Sequence, residues 1–295
     1  MAKKKHSALY YIGQTFKGLG YGVYYLGKGI GYGVYYTGKG VYAGGTWAAS
    51  QWKTSRAEVK VTQEAQMIQA SRPKHNATYH PFDQVHSFTG DYIDFEHNFF
   101  SKPSMIGIIL GARGSGKSAL GMKLLENVQA KAKRHVCAMG FKTETLPAWI
   151  HVVTTLEEIP SNSVVLLDEA GIEFSSRSSM SNVNKLLGSL MLVARHKDLS
   201  ILFIAQNSSN LDVNILRQAD FLFLKPSSLL QKDFEREKIK DMYAEVKDHF
   251  AQHKQLPGLV YVYSDPFRGF VTNPLPTFWS QKTSKAYSGF GKPSA

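Results

Sequence analysis

The sequence predicts an α/β fold in which a mostly parallel central sheet is flanked by helices. Three short apolar runs are typical of buried strands: MIGIIL from Met105, VVLL from Val164 and SILFIA from Ser200. The segment ALGMKLLENVQAKAKR, which begins shortly after the first run, has helical periodicity and a basic carboxyl end. Buried strands that alternate with helical segments indicate a parallel sheet covered by helices.

The composition fits a globular protein and excludes several classes. Hydrophobic residues make up 43% of the 295 residues, which is too many for a wholly disordered chain. Cys137 is the only cysteine, so intramolecular disulfides and cysteine-rich zinc sites are excluded. No uncharged apolar run reaches about 18 residues, and the basic, aromatic start MAKKKHSALYYIG is unlike a secretory signal. We therefore expect a cytoplasmic protein.

The first 60 residues form a basic segment that is rich in glycine and tyrosine. They contain nine Lys and Arg residues and one acid, Glu58, so they carry 9 − 1 = +8 of the formal net charge of +12. An eleven-residue pattern occurs as KGLGYGVYYLG from Lys17 and as KGIGYGVYYTG from Lys28, and it decays from Lys39. Because eleven residues make about three helical turns, these lysines would line up on one face of a helix.

Three interpretations of this repeat segment stay open. The lysines, the tyrosines, and the glycine pairs whose members are four residues apart favour contact with a membrane surface or self-association. A disordered Gly/Tyr tail is the second interpretation, because each glycine costs a helix about 1 kcal/mol in water. The third is a nucleic-acid surface, in which lysines contact phosphates and tyrosines stack on bases.

Composition divides the chain into a basic repeat segment (1–60), a connector (61–100), a domain of ordinary composition (101–273) and a polar tail (274–295). The connector is predicted to contain a short polar helix at 58–70 and loop histidines that are solvated rather than metal-bound: His75, His80 and His86. The later part of the domain is predicted to hold a strand at 220–225, a long charged helix at 228–252, and strands at 259–263 and 269–272.

The most specific motif is GARGSGKS, which lies between the first buried strand and its helix and comprises Gly111, Ala112, Arg113, Gly114, Ser115, Gly116, Lys117 and Ser118. A strand, a glycine-rich loop and a helix in this order form a P-loop, which binds phosphates with backbone N–H groups and the helix amino terminus. Lys117 is predicted to contact the β- and γ-phosphates, and Ser118 is predicted to ligate Mg²⁺. The sequence therefore predicts a site for a nucleotide and Mg²⁺.

Two further strand ends supply candidate catalytic residues. Asp168 follows VVLL, where it is placed to hold Mg²⁺ through the water shell of the ion. Glu169 is placed to polarise the attacking water. Gln206 follows SILFIA and is predicted to contact the γ-phosphate. Because no Asn-Lys-x-Asp guanine signature occurs in the sequence, ATP is favoured over GTP.

GARGSGKS, VVLLDEA and especially ARHKDLSILFIAQNSSNLDVNILRQADFLFL resemble the FtsK/HerA superfamily of DNA-pumping ATPases. Within it, the short viral genome-packaging ATPases of the poxvirus type and of membrane-containing bacterial and archaeal viruses are similar in size. The resemblance covers about residues 100–225. It implies a RecA-like P-loop ATPase core, a ring-shaped homo-oligomer and translocation of double-stranded DNA into a capsid. The sequence lacks a DNA-orienting domain of the gamma type and a nuclease domain. We therefore expect that the protein by itself neither recognises a DNA sequence nor cuts DNA.

The resemblance also implies that Arg195, just before SILFIA, acts as an arginine finger on the nucleotide of a neighbouring subunit. Arg177 and Arg217 are its rivals for this role. Several basic residues after the third apolar run are candidate DNA contacts, with a solvated helix face as the alternative: Lys225, Lys232, Arg236, Lys238 and Lys240.

Two other functions are weighed against a packaging motor. The repeat segment favours a membrane-associated virion assembly or extrusion ATPase of the zonula occludens toxin-like type, although those proteins usually carry a transmembrane segment after the ATPase core. A non-catalytic nucleotide-gated scaffold is disfavoured because Lys117, Glu169 and Gln206 are all present. For a packaging motor we expect the host cytoplasm or the virion, with contact to a capsid vertex or viral membrane through residues 1–60.

Overall fold

The computed structural model describes residues 72–168, 190–228 and 234–280, together with six single residues: Lys28, Met67, Ala70, Gly188, Gln231 and Thr283. The chain divides into two compact units, Met1–Met67 and Ile68–Ala295, and every element named below belongs to the second. Almost all of the repeat segment, most of the predicted helix at 58–70, and both Glu169 and Arg177 lie outside the described residues. The predictions for them stay predictions.

The described chain contains strands and helices of the following ranges. The strands are β1 (Asp83–Gly90), β2 (Ile106–Leu110), β3 (His135–Met139), β4 (His151–Val153), β5 (Ser163–Asp168), β6 (Ser200–Ala205), β7 (Phe221–Leu224), β8 (Leu259–Ser264) and β9 (Phe267–Thr272). The helices are α1 (Tyr92–Ser101), α2 (Lys117–Lys131), α3 (Val213–Gln218), α4 (Glu237–Glu245) and α5 (Lys247–Gln252). Residues 190–196 are also helical, and short 3₁₀ turns lie at Thr143–Thr145 and Ser208–Asn210.

The strands form one mixed sheet in the order β1-β9-β8-β7-β2-β6-β5-β3-β4. The strands from β7 to β4 in this order are parallel, whereas β8, β9 and β1 extend the sheet antiparallel beyond β7. The predicted mostly parallel sheet with flanking helices is therefore confirmed. β6 lies between β2 and β5, so the strand before the glycine-rich loop and the strand that ends at Asp168 are not neighbours.

Hydrophobic clusters cover both faces of the sheet, and successive side chains of its central strands point alternately into one cluster or the other. In β5, Leu166 belongs to the hydrophobic cluster that contains α1 and α2. Leu167 belongs to the cluster on the other face, which contains apolar residues of 190–196, α3 and α4. Helices on both faces explain why the central strands read as continuous apolar runs.

Helix α2 carries a fully buried ion pair. Lys123 Nζ lies 2.7 Å from Glu126 Oε2, and neither side chain is exposed. Glu126 also accepts hydrogen bonds from the backbone N–H of Thr78 and from the N–H and hydroxyl of Thr277. Thr277, which composition assigns to a polar tail, is thus bonded to α2 in the structure.

The segment interpreted as a connector contributes to the same sheet. β1 pairs antiparallel with β9, from Asp83 opposite Thr272 to Gly90 opposite Phe267. His86 therefore lies in a strand, whereas His75 and His80 lie in the predicted loop. β1 is hard to predict from the sequence because it is only partly buried and because its partner strand, β9, lies near the other end of the chain.

The single long helix predicted over residues 228–252 is wrong. The chain bends at Glu235, and α4 begins after Arg236. Val246, which has φ −105° and ψ 8° and is buried, separates α4 from α5. Among the described residues, every helix is too short or too polar to span a bilayer.

Candidate nucleotide site

The loop between β2 and α2 has the backbone of a phosphate-binding loop. Gly116 caps α2 with a φ of 90°, a left-handed conformation that favours glycine. A Cβ at Gly116 would meet no atom within 4 Å, and the same holds for Gly114, so open space adjoins the loop where it enters the helix. Open space beside the amino end of a 15-residue helix fits a phosphate group.

Lys117 is the first residue of α2, and its side chain turns back toward the loop. Nζ donates hydrogen bonds to the carbonyl oxygens of Gly111 at 2.8 Å and Ala112 at 2.9 Å. These bonds hold the buried ammonium beside the loop, where its positive charge would complement a phosphate. The predicted contact of Lys117 with the β- and γ-phosphates stays a prediction.

Ser118 and Asp168 meet beside this loop. The Ser118 hydroxyl lies 3.5 Å from Asp168 Oδ2, although the two residues come from different elements, α2 and the end of β5. Hydroxyl and carboxylate oxygens are the ligands that Mg²⁺ prefers, and the ion commonly keeps several waters of its own. The pair therefore fits Mg²⁺ bound to the serine and reached by the aspartate directly or through water.

Gln206 lies at the same edge of the sheet. In the ladders, Ala205 of β6 lies opposite Leu110 of β2, and Ile204 lies opposite Asp168 of β5. The exposed Gln206 therefore follows β6 at the carboxyl edge, between the glycine-rich loop and Asp168. This position is compatible with the predicted contact with a γ-phosphate.

A buried carboxylate fixes the chain just after Gln206, and sequence analysis missed it. Glu235 is 4% exposed and accepts hydrogen bonds from the Ser208 N–H at 2.7 Å and from the Gln231 amide at 2.9 Å. The Gln231 amide also donates to the backbone carbonyl of Gln206. Arg236 Nε donates to the carbonyl of Ser208 at 3.1 Å. Nothing in the sequence distinguishes Glu235 from the exposed charges that surround it.

Lys225 supports the loop from the side of β7. Its Nζ donates to the Gly258 carbonyl at 2.7 Å and to Asn273 Oδ1 at 2.6 Å, and its backbone N–H donates to Leu110 O at 2.8 Å. A Cβ added to Gly111 would lie 2.6 Å from the Lys225 Cβ, so glycine permits this close approach. Burial lowers the pKa of Lys225 to about 7. The suggestion that Lys225 contacts DNA is wrong, because its side chain is 2% exposed.

Arg195 is remote from the loop of its own subunit. It is exposed near the end of the helical residues 190–196, just before the amino end of β6. Gln206 follows the opposite end of β6, and a six-residue strand spans roughly 17 Å. Arg195 therefore does not face its own nucleotide site, and its action on a neighbouring subunit stays a prediction. Glu169 follows Asp168 directly but lies outside the described residues.

The chain shows weak likeness to solved structures of ATPases. No family model matches it, and no curated protein matches it significantly. B204, the DNA-packaging ATPase from Sulfolobus turreted icosahedral virus, is similar with a TM-score of 0.41 and 14% identity over 58% of this chain and 98% of that one. B204 from Sulfolobus turreted icosahedral virus 2 in complex with ATP-gammaS gives a TM-score of 0.40 and 15% identity over 59% and 98%.

EssC (ATPases 2 and 3) from Geobacillus thermodenitrificans is also similar, with a TM-score of 0.38 and 13% identity over 75% of this chain and 53% of that one. Because all three TM-scores lie below 0.5, we infer function from the geometry of the site and from the sequence motifs.

Proposed function

We propose that the chain is a Mg²⁺-dependent ATPase. The observation that carries this proposal is the approach of Ser118 Oγ to Asp168 Oδ2, 3.5 Å apart beside a glycine-rich loop whose helix begins with Lys117. The loop and Lys117 would hold the phosphates, while Ser118 and Asp168 would hold the metal ion. Bound Mg²⁺ would neutralise negative charge on the β- and γ-phosphates.

The remaining catalytic roles are assigned from the sequence motifs and, for Gln206, from its place at the carboxyl edge of the sheet. Glu169, next to Asp168, would orient and deprotonate the attacking water. Gln206, which follows the strand between β2 and β5, would contact the γ-phosphate. Arg195 would reach the nucleotide of a neighbouring subunit, which requires a ring-shaped homo-oligomer.

We propose further that ATP hydrolysis drives translocation of double-stranded DNA, and that the DNA is a viral genome packaged into a capsid. The resemblance of GARGSGKS, VVLLDEA and the segment around Arg195 to DNA-pumping ATPases supports this assignment. The formal net charge of +12 is compatible with a partner that carries one phosphate charge per ~1.7 Å of duplex. The proposed location is the host cytoplasm or the virion, with residues 1–60 on a capsid vertex or viral membrane.

The test is ATP hydrolysis by the purified full chain, measured alone, with double-stranded DNA, and with anionic liposomes. For a motor, we expect ATP hydrolysis that requires Mg²⁺ and whose rate rises several-fold when DNA of any sequence is added. Activity that responds to liposomes and not to DNA would instead support a membrane-associated assembly or extrusion ATPase. Absence of hydrolysis under all conditions would reject both ATPase assignments.

A further inference from the structure

A cavity of about 270 Å³ lies at the edge of the sheet opposite the nucleotide site, and its lining includes Gln129, Lys133, Arg134, His135, Trp149 and His151. His135 and His151 are the first residues of β3 and β4. Because β3, β4 and β2 run parallel, the amino ends of β3 and β4 lie at the edge remote from Gly111–Ser118. The cavity is therefore separate from the nucleotide site.

The cavity is lined by basic side chains. Lys133, His135 and His151 are exposed, and none of the described residues that line the cavity is acidic. The rings of His135 and His151 have centroids 6.2 Å apart. Burial, the charge of His135 and the charge of Arg72 all lower the pKa of His151. An anion in the cavity would oppose these effects and favour the protonated imidazole.

Arg134 lines the cavity and adds a buried positive charge. The residue is 8% exposed, and its terminal nitrogens donate to the Ser200 hydroxyl at 2.9 Å and to backbone carbonyls that include those of Pro103 at 2.8 Å and Ser163 at 3.0 Å. Its buried Nε has no hydrogen-bond partner among the residues that the structure describes. Because this Nε is shielded from solvent, Arg134 contributes positive charge to the cavity and no direct bond to a bound phosphate.

Trp149 adds an aromatic surface whose orientation is fixed. Its Nε1 donates to the carbonyl of His75 at 2.8 Å, and its ring meets Phe278 edge-on with centroids 5.6 Å apart. The indole offers an apolar face to a sugar, while the neighbouring basic side chains suit the phosphates of a nucleic-acid backbone.

We propose that this cavity binds the phosphate backbone of nucleic acid, with Lys133, His135 and His151 as its contacts. The inference rests on the proposed use of DNA as a partner and assigns a surface to that contact. The proposed DNA contact is separate from nucleotide binding by the loop between β2 and α2, since no residue of that loop lines the cavity. Binding to this surface involves charge and does not require base recognition.

The test compares the full-length protein with the variants Lys133→Glu and His135→Gln/His151→Gln, and with Lys254→Glu as an exposed control of the same charge change. Fluorescence anisotropy with a short labelled duplex gives the affinity and its salt dependence. Basal ATP hydrolysis, expected to be unchanged, and thermal unfolding show that each variant is folded. Lys133→Glu should weaken DNA binding about tenfold and reduce the log–log salt slope by about 0.9, whereas Lys254→Glu should change neither.

The second measurement is the pKa of His151, followed by NMR with and without duplex and assigned with His151→Gln. Its pKa should rise when DNA binds, which a purely structural histidine would not show. DNA binding by the wild type that both cavity variants retain would overturn this inference and leave the proposed motor standing. Failure of the wild type to bind DNA would overturn the proposed motor and this inference together.

Two competitors separate the possible sources of phosphate. Inorganic phosphate or anionic vesicles that bind as tightly as duplex, and lose binding in the same variants, would overturn the assignment to nucleic acid. Weak binding of both competitors, with duplex binding lost in the variants, is the expected result.

Discussion

Ser118 Oγ lies 3.5 Å from Asp168 Oδ2, and this contact joins the first turn of α2 to the end of β5. β6 separates β5 from β2, so the contact spans the position of a whole strand. Gln206 follows that intervening strand. The arrangement places a hydroxyl, a carboxylate and an amide at one edge of the sheet, which is the edge that also carries the glycine-rich loop.

Glu169→Gln should retain ATP binding and lose turnover. The amide keeps the shape of the side chain but cannot accept the proton of the attacking water. The measurement is steady-state hydrolysis together with the affinity for ATP, and Glu157→Gln, an exposed acid elsewhere, is the control. Hydrolysis at the wild-type rate in Glu169→Gln would show that another group acts as the base.

Arg195→Ala should bind ATP normally and hydrolyse it about 10³–10⁵-fold more slowly, because a finger arginine stabilises charge that develops on the γ-phosphate. Since Arg195 lies away from its own loop, mixing Arg195→Ala with Glu169→Gln subunits should restore some activity. One kind of mixed interface then pairs an intact glutamate with an intact arginine. Rings that are shown to be mixed and yet stay inactive would reject Arg195 as the finger, and Arg217→Ala would be tested next.

Glu235→Gln should lower kcat for ATP hydrolysis by about tenfold with little change in KM, because a charge-assisted hydrogen bond to the chain after Gln206 is weakened. The bonds at issue are those from Ser208 and Gln231. The control is Glu237→Gln, since Glu237 is exposed in the first turn of α4. An equal effect of both substitutions, or a change confined to KM, would remove Glu235 from the support of Gln206.

Lys225 should make stability depend on pH in the alkaline range. Burial lowers its pKa in the folded protein to about 7, whereas the ordinary value is 10.5. Between these pH values the unfolded chain binds a proton that the folded chain does not, so the free energy of unfolding rises with pH through this window. Below about pH 7 both states hold the proton, and the dependence on Lys225 disappears.

The check is urea unfolding of the wild type and of Lys225→Met at several pH values between about 7.5 and 9.5. The difference between the two proteins should grow by about 1 kcal/mol per pH unit in favour of the wild type. Subtracting the variant removes titrations that the two proteins share, such as that of Cys137, whose pKa burial raises to about 11. A difference that is constant with pH would mean that Lys225 keeps its ordinary pKa.

Local features of the site can be predicted from the sequence, because its strand, loop and helix are consecutive. β2, the residues Gly111–Ser118 and α2 follow one another without interruption. The apolar runs of β5 and β6 are followed directly by the polar residues Asp168 and Gln206. Their order in the sheet is a property of long-range pairing and is visible only in the structure.

Features that depend on contacts between distant segments are not predictable in this way. Lys123 and Glu126 have helical spacing that suggests a solvated face, yet segments around residues 78 and 277 bury both completely. Glu235 and Lys225 are likewise buried by tertiary contacts, although Glu235 lies in a charged stretch and Lys225 ends an apolar strand where a solvated lysine is ordinary. In these places burial, and not the residue type, determines what the side chain does.

ATP binding to Lys117→Ala, measured by calorimetry with and without Mg²⁺, tests the central claim most directly. Loss of the ammonium beside the loop should weaken binding about 100-fold or more, as expected for about 3 kcal/mol of charge-assisted contact. Lys131→Ala, an exposed lysine at the other end of the same helix, should bind ATP like the wild type. Two results would contradict the assignment of this loop as the ATP site. One is a folded Lys117→Ala variant that binds ATP with wild-type affinity, and the other is a wild-type affinity for ATP that is the same with and without Mg²⁺.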